Sequence, residues 1–388
     1  MKSEADYRPG PRPITCGGSD EEREYYESLV ARHGSPLLLL SRSRLARQYR
    51  ALQDFLPGVS LYYAIKAFPH PAVIETLAGL GCHFDVASEG EIDLLRPFRV
   101  SGRKTIHTHP VKKPEHIKAA LRGGSTTFVV DNLDEMKKLL PFRHRVGLLL
   151  RVGFRSDSAA VDLSRKFGCA PEQVEELVLQ ARDLGIHVRG LSFHVGSQSL
   201  SPQTHVEAIE HCGRLIETVN RQLSNPLSVL DIGGGFPVDY AQQGLDYPAW
   251  FRPLREALAG LPEDLQTIAE PGRFLVAPAV TSVSTVSGKA RRGDYQWYYL
   301  DDGVYGSYSG QLFDHMLYPL QVFRNGAQRK PSILAGPTCD SIDIVAEDVL
   351  LPELEEGDLV VGHLMGAYTA ATSTRFNSIN AARIVVVD

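Results

Sequence analysis

From residue 61 onward, short apolar runs alternate with amphipathic helical patterns, and that alternation leaves few architectures open. The strand-like runs are Leu61–Ile65, His83–Ala87, Thr105–Thr108, Thr127–Val130, Val146–Val152, Val188–His194, Ser228–Ile232 and Gln266–Ala269. Helical periodicity fills the intervals, at Glu89–Leu95, Pro114–Leu121, Leu133–Leu140, Pro171–Leu184, Thr204–Leu223 and Pro248–Leu258. Eight strands joined by helical crossovers predict an α/β fold with a closed (β/α)8 TIM barrel. An open doubly wound sheet is the alternative, but no GxGxxG follows the first strand.

The pattern changes after Pro278. Val280–Val286, Trp297–Leu300, Leu359–Val361 and Arg383–Val387 are β-branched or aromatic, with glycine-rich turns between them and no long helical pattern. They predict a second, mostly β domain. At the other end, residues 1–20 read as a flexible leader, with Pro9–Pro13 and Gly17-Gly-Ser as its markers. A helix is expected from Asp20 to Arg32, capped by Ser19 or Asp20 and stopped by Gly34. A buried strand at Pro36–Ser41 should join the β domain, and a helix should follow at Ser43–Phe55. The expected division is therefore 1–41 (leader, helix and strand contributing to the β domain), 42–278 (barrel) and 279–388 (β domain).

Composition excludes some classes. The net charge of −5 mixes acids and bases, which argues for neither nucleic acid nor an anionic membrane as partner. The N-terminus is charged and lacks an apolar signal-like region, and Leu37–Leu40 is far too short to span a bilayer. Five scattered cysteines without a CxxC pair suit a reducing cytoplasm better than a disulfide framework or a zinc module. His107 and His109 alternate like a metal-binding pair, but lack acidic or histidine partners at convincing spacing, so no metal is expected.

The notable polar residues fall at the predicted strand ends: Lys66, Asp85 with Ser88, Asp131, Arg151, His194, Gly233-Gly-Gly235 and Glu270. That end of a barrel is where active sites are built. Lys66, alone, reads either as a snorkelling surface amine or as a desolvated one able to form a Schiff base with a carbonyl. Three glycines directly after a strand read either as a tight turn or as a loop whose N–H groups approach an anion. The next strand ends in Ala269-Glu-Pro-Gly-Arg273, which brings a flexible backbone and a guanidinium. Together the two loops favour a phosphate cradle. A phosphate site opposite a strand-end lysine suggests pyridoxal phosphate, with the lysine on its aldehyde. Glu270 could then face the pyridine nitrogen and keep it protonated, besides an ion pair with Arg273. His194 could lie against a flat cofactor face, with Ser197 offering a hydroxyl to the phosphate.

On these motifs the chain resembles the fold type III pyridoxal-phosphate decarboxylases of basic amino acids, which include ornithine, lysine and diaminopimelate decarboxylases. The likeness runs through Tyr63-Ala-Ile-Lys66, Phe84-Asp-Val-Ala-Ser88, Lys166-Phe-Gly168, Ser192-Phe-His-Val-Gly-Ser197, Asp231–Phe236 and Glu270-Pro-Gly-Arg273. It continues in Asp302–Gly306, Gly336-Pro-Thr-Cys-Asp340 and Gly366-Ala-Tyr368. The resemblance implies an alanine-racemase-like barrel with a β domain, Lys66 as the Schiff-base lysine and His194 stacked on the ring. It implies Glu270 on the pyridine nitrogen, and Ser197, Gly234, Gly235, Gly272, Arg273 and Tyr368 around the phosphate. Asp85, Glu91 and Arg151 would position the cofactor and its lysine. Cys339 would govern protonation after carbon dioxide leaves, entering the neighbouring subunit's site in a homodimer.

Substrate choice rests on Asp314 and Asp340, which match the pair that holds the distal amine of ornithine, with Phe376 alongside. An ammonium needs carboxylate partners, so the pairing is physically sensible. Diaminopimelate decarboxylases carry glutamate after the cysteine, and Asp340 argues against that substrate. Phe313 stands where eukaryotic ornithine decarboxylases usually have tyrosine, which leaves lysine or a larger amine-bearing substrate open. The expected activity is decarboxylation of ornithine or lysine to the diamine in polyamine biosynthesis. The alternatives are an amine-bearing substrate of a siderophore or antibiotic pathway, or diaminopimelate. A racemase of the same barrel usually has arginine at the pyridine nitrogen, and a non-catalytic homologue should have lost Lys66, Glu270 or Cys339.

Overall fold

The computed structural model describes residues 12–154, 159–161, 163–326 and 328–388. The chain divides into two compact units. One comprises residues 46–237 and 245–275; the other comprises 1–45, 238–244 and 276–388.

The first unit is a closed barrel of eight parallel strands. In chain order they are β1 (Ser60–Ala64), β2 (His83–Val86), β3 (Thr105–His107), β4 (Thr127–Val130), β5 (Gly147–Val152), β6 (His187–Phe193), β7 (Val229–Asp231) and β8 (Gln266–Ala269). Each pairs with the next, and Ile268 and Ala269 of β8 pair with Ser60 and Leu61 of β1 to close the ring. Alternation along each strand turns one set of side chains inward. Tyr62, Ile106, Val129, Leu149, Val229 and Ile268 meet there as one buried cluster. The expected barrel is the observed one, with strand ends moved by a residue or two.

Helix starts follow their capping chemistry. Ser88 accepts the Glu91 N–H at 3.3 Å, while Glu91 Oε2 accepts the Ala87 N–H at 2.6 Å. This reciprocal capping starts the helix Glu89–Leu95 directly after β2. Pro71 begins the helix Pro71–Gly79, with the His70 ring accepting the Ala72 N–H.

In the second unit, Leu37–Leu40 pairs antiparallel with Val280–Arg292 and parallel with Arg383–Val386. All four leucines are buried, the mark of a strand covered on both faces, and each contributes about 1.5–3 kcal/mol of burial. Tyr26, Leu37, Leu39, Val283, Leu359 and Val361 form the core around it. The helix Asp20–His33 is capped by Ser19 and ends at Gly34. The leader reading needs a correction. Residues 14–16 form a strand parallel to Leu320–Val322, because the Pro13 carbonyl and the following peptides find ladder partners there. The Pro9–Pro11 part of that leader lies outside the described residues.

Gly190 shows how tightly the barrel closes. A Cβ at this position would lie 1.8 Å from the Val229 carbonyl oxygen on β7. Backbone cannot yield as a side-chain tip can. Gly190→Ala is expected to destabilise the protein by about 1–3 kcal/mol or more, read as a lowered urea midpoint. An unchanged midpoint would contradict this packing.

Candidate active site

The C-terminal ends of the barrel strands carry the polar cluster. β1 ends at Ala64, and Lys66 sits in the short turn Ile65–Ala67 that follows. Ile65, Ala67 and Phe68 are buried around it, while the Lys66 side chain itself is 44% exposed. Its Nζ reaches Asp85 Oδ2 at 3.4 Å, and Asp85 is 2 % exposed at the end of β2. Thr108, just past β3, donates its hydroxyl to the other oxygen of Asp85. Glu91 is occupied by its own helix start, and burial pushes its carboxyl up to about 7.

Arg151 lies on β5 with its guanidinium over the Phe167 ring, 5.5 Å from the centroid. Among the described residues its Nη2 is buried without a hydrogen-bond partner, and Glu270, Asp131, Asp231 and Asp85 surround it electrostatically. His194 follows β6. The Gly196 N–H donates to its Nδ1 at 3.1 Å, which places the proton of the neutral ring on Nε2. Burial, then Arg151 and Lys66, hold its pKa well below the usual histidine range, so the ring is uncharged at neutral pH.

Glu270, after β8, faces Asp231 at the end of β7. Burial and then the mutual repulsion with Asp231 raise the Glu270 pKa well above the usual carboxylate range. Burial likewise raises Asp231 to about 6. Asp231 Oδ1 accepts the Gly233 N–H at 2.9 Å, while Oδ2 has no donor unless a proton lies between the two acids. Both shifts favour retention of a proton in the pair.

The glycine loop after β7 is pressed against its neighbours. Gly233 and Gly235 have φ of 65° and 94°. A Cβ on Gly234 would lie 2.5 Å from the Glu270 carbonyl oxygen and 3.3 Å from His194 Nε2. A Cβ on Gly235 would lie 2.3 Å from the Gly196 carbonyl oxygen. His205 fastens the loop from behind, its Nε2 3.0 Å from the Gly234 carbonyl and its ring stacked on Phe236. Arg273, 5 % exposed, donates to Ser197 Oγ from Nη2 at 3.0 Å. Gly272 lies in the same turn, its carbonyl accepting the Leu275 N–H.

The second unit holds the remaining expected residues. Tyr305 donates to Asp340 Oδ2 at 2.5 Å, and Phe376 stacks on the Tyr305 ring with centroids 4.7 Å apart. The Cys339 N–H donates to Asn377 Oδ1 at 2.9 Å, and the thiol is exposed. These contacts gather Cys339, Asp340 and Phe376. Asp314 ends the short helix Gly310–Phe313, and Tyr368 adopts a φ of 54°. Among the described residues no His, Cys, Asp and Glu group could hold a metal, and no helix is long and apolar enough to cross a membrane.

Sequence reasoning overlooked Asp231, Thr108, His205, Tyr305 and Asn377. Asp231 and Tyr305 stood inside quoted motifs, and Thr108 closed a predicted strand, so their positions were available. Their partners were not.

These residues fit pyridoxal phosphate. A buried guanidinium joined to a hydroxyl beside a close-packed glycine loop is a phosphate donor set. The acid pair, the orphaned Arg151 donor and the lysine suit a polar ring with an aldehyde. The chain belongs to the family described as "pyridoxal-dependent decarboxylase, pyridoxal binding domain", whose profile matches residues 42–277. It is an amino-acid decarboxylase of the lyase class and uses pyridoxal phosphate. It is 38% identical to the lysine/ornithine decarboxylase of Selenomonas ruminantium, over 93% of this chain and 92% of that protein. The lysine/ornithine decarboxylase of Vibrio vulnificus, solved with putrescine, is 47% identical with a TM-score of 0.91. That alignment covers 95% of this chain and 99% of the other. A structure of SrLDC with PLP and cadaverine is 37% identical with a TM-score of 0.88, covering 95% and 94%.

The acid pair has a pH signature in cofactor-free protein. The folded pKa of Asp231, about 6, exceeds the unfolded value of about 3.9, so the native state binds more protons between them. Asp231 therefore lowers stability as pH rises through that window. Asp231→Asn should gain on the parent by on the order of 2 kcal/mol between pH 4 and 7, in urea unfolding. A pH-independent difference would contradict the retained proton.

Proposed function

We propose that this enzyme decarboxylates lysine and ornithine to cadaverine and putrescine, supplying polyamine synthesis. The observation that carries the substrate class is Asp340. The Tyr305 hydrogen bond, its largest influence, lowers its pKa, so it is anionic at neutral pH and held in one orientation for an ammonium. Asp314 serves as the second carboxylate, with Phe376 beside the aliphatic stem. The relatives solved with putrescine and cadaverine support the same diamines as products.

Pyridoxal phosphate, when bound, supplies a ring that takes up the electron pair left as carbon dioxide departs. Lys66 is the amine that anchors it, and Asp85 keeps Nζ in place. Arg273, Ser197, Gly234, Gly235, Gly272 and Tyr368 are assigned to its phosphate. Glu270 holds a proton for the ring nitrogen, and the neutral His194 offers a flat face without adding charge. Glu91 and Arg151 fix the surroundings of Asp85 and Glu270. An apolar, poorly hydrated face favours loss of the substrate's charge as carbon dioxide. Cys339 Sγ or Lys66 Nζ returns the proton to the α-carbon.

We read the assembly as a homodimer in which the loop carrying Cys339 and Asp340 completes the partner's site. All five cysteines are free, which suits a reducing compartment such as the cytoplasm.

Two experiments test this reading. The purified protein should show a visible absorption band that survives desalting, and Lys66→Ala should lose it; persistence in the variant removes the assignment. Carbon dioxide release should be found with L-lysine and L-ornithine. Asp340→Ala should cut kcat/KM by about tenfold or more while leaving cofactor binding intact. Release from diaminopimelate alone overturns the aspartate reading.

A further inference from the structure

Asp85 takes two different donors on its two oxygens. Lys66 Nζ approaches Oδ2 at 3.4 Å, and the Thr108 hydroxyl donates to Oδ1. Both Asp85 and Thr108 are nearly inaccessible, at 2 % and 5 % exposure. A carboxylate held by one partner alone can swing about its terminal torsion, which is broad. A second donor on the other oxygen removes that freedom.

The hydroxyl is itself fixed. The Thr108 N–H donates to the Val86 carbonyl at 3.1 Å, which ties the residue to the strand carrying Asp85. Behind it, Lys112 is 1 % exposed, and its ammonium donates to the carbonyls of His109 at 2.9 Å, Pro110 at 2.8 Å and Val129 at 2.5 Å. The Lys112 N–H donates to Glu135 Oε2 at 3.0 Å. The residues directly after Thr108 are thus clamped to β4 by a buried cation that meets its acceptors within the protein.

We propose that Thr108 is a positioning residue for Lys66, acting through Asp85, with Lys112 as the clamp that holds the hydroxyl in place. The proposal deepens the reading of Lys66 as the cofactor's anchor and rests on it. A threonine needed only to fill space could be replaced by valine, which has the same shape and no hydroxyl. A threonine that aims Asp85 cannot.

The test uses cofactor-free protein and its Thr108→Val and Thr108→Ser variants, each checked for folding by thermal unfolding. Pyridoxal phosphate is added across a pH series, and the growth of the visible band is followed. Borohydride reduction and peptide mapping then identify the modified lysine. Thr108→Val is expected to lower the alkaline plateau rate of capture by about tenfold, because a misplaced nucleophile loses orientation. Its pH midpoint should move down, because an amine that loses an aligned carboxylate is less easily protonated. Thr108→Ser keeps the hydroxyl and should stay within about twofold of the parent, since only a methyl is lost. Parental rate and midpoint in Thr108→Val, or equal slowing in Thr108→Ser, overturns the proposal. A label on another lysine in the parent protein instead removes the Lys66 assignment, and this proposal with it.

Discussion

The site depends on keeping several ionisable groups together where water hardly reaches them. Asp85, Asp231 and Glu270 are all buried at the end of the barrel, with Arg151 among them. Burial raises the pKa of Asp231 and of Glu270. The arrangement divides the three carboxyls. Lys66 and Thr108 occupy the two oxygens of Asp85, while burial and mutual repulsion favour a proton in the Asp231 and Glu270 pair. Among the described residues, Arg151 retains an unused donor in the same space. A carboxylate beside the lysine at the end of β2, and an acid pair that favours a proton at the ends of β7 and β8, suit a cofactor with one electrophilic carbon and one basic nitrogen.

The backbone makes this crowding possible. Parallel strands end at a common level, so loops from β1, β2, β6, β7 and β8 converge. Convergence would fail if side chains filled the gap. The loop Gly233–Gly235 lies against Phe193, His194, Gly196 and Glu270, leaving no room for Cβ atoms. The glycines serve close approach as much as left-handed backbone. His205 and Trp250 pack behind, so the loop is supported from the helical layer rather than by its own sequence.

The barrel was legible because its strands are short, apolar and evenly interrupted, and a parallel strand must be followed by a crossover. Lys66, Glu270 and the glycine run were legible because each stands directly after such a strand. Glu91 adds a local role to its motif: its carboxylate also closes a helix start, with Ser88 capping the same turn. Residues 14–16 show a failure of local reading. Ile14-Thr-Cys16 carries two β-branched residues but is too short to mark a strand locally, and its ladder partner lies about three hundred residues away at Leu320–Val322.

The amino-acid sequence by itself determined the strand-and-crossover pattern, the family and the residue types available for chemistry. These are local properties, readable one segment at a time. Only the tertiary structure decided which oxygen of Asp85 meets Lys66, that Thr108 takes the other, and that Asp231 and Glu270 form a pair that favours a proton. Those outcomes depend on distances between strands far apart in the chain, and on how much water the assembled barrel excludes. A strand-end lysine is a generic nucleophile in the sequence; a buried carboxylate aimed at its amine gives it a particular place.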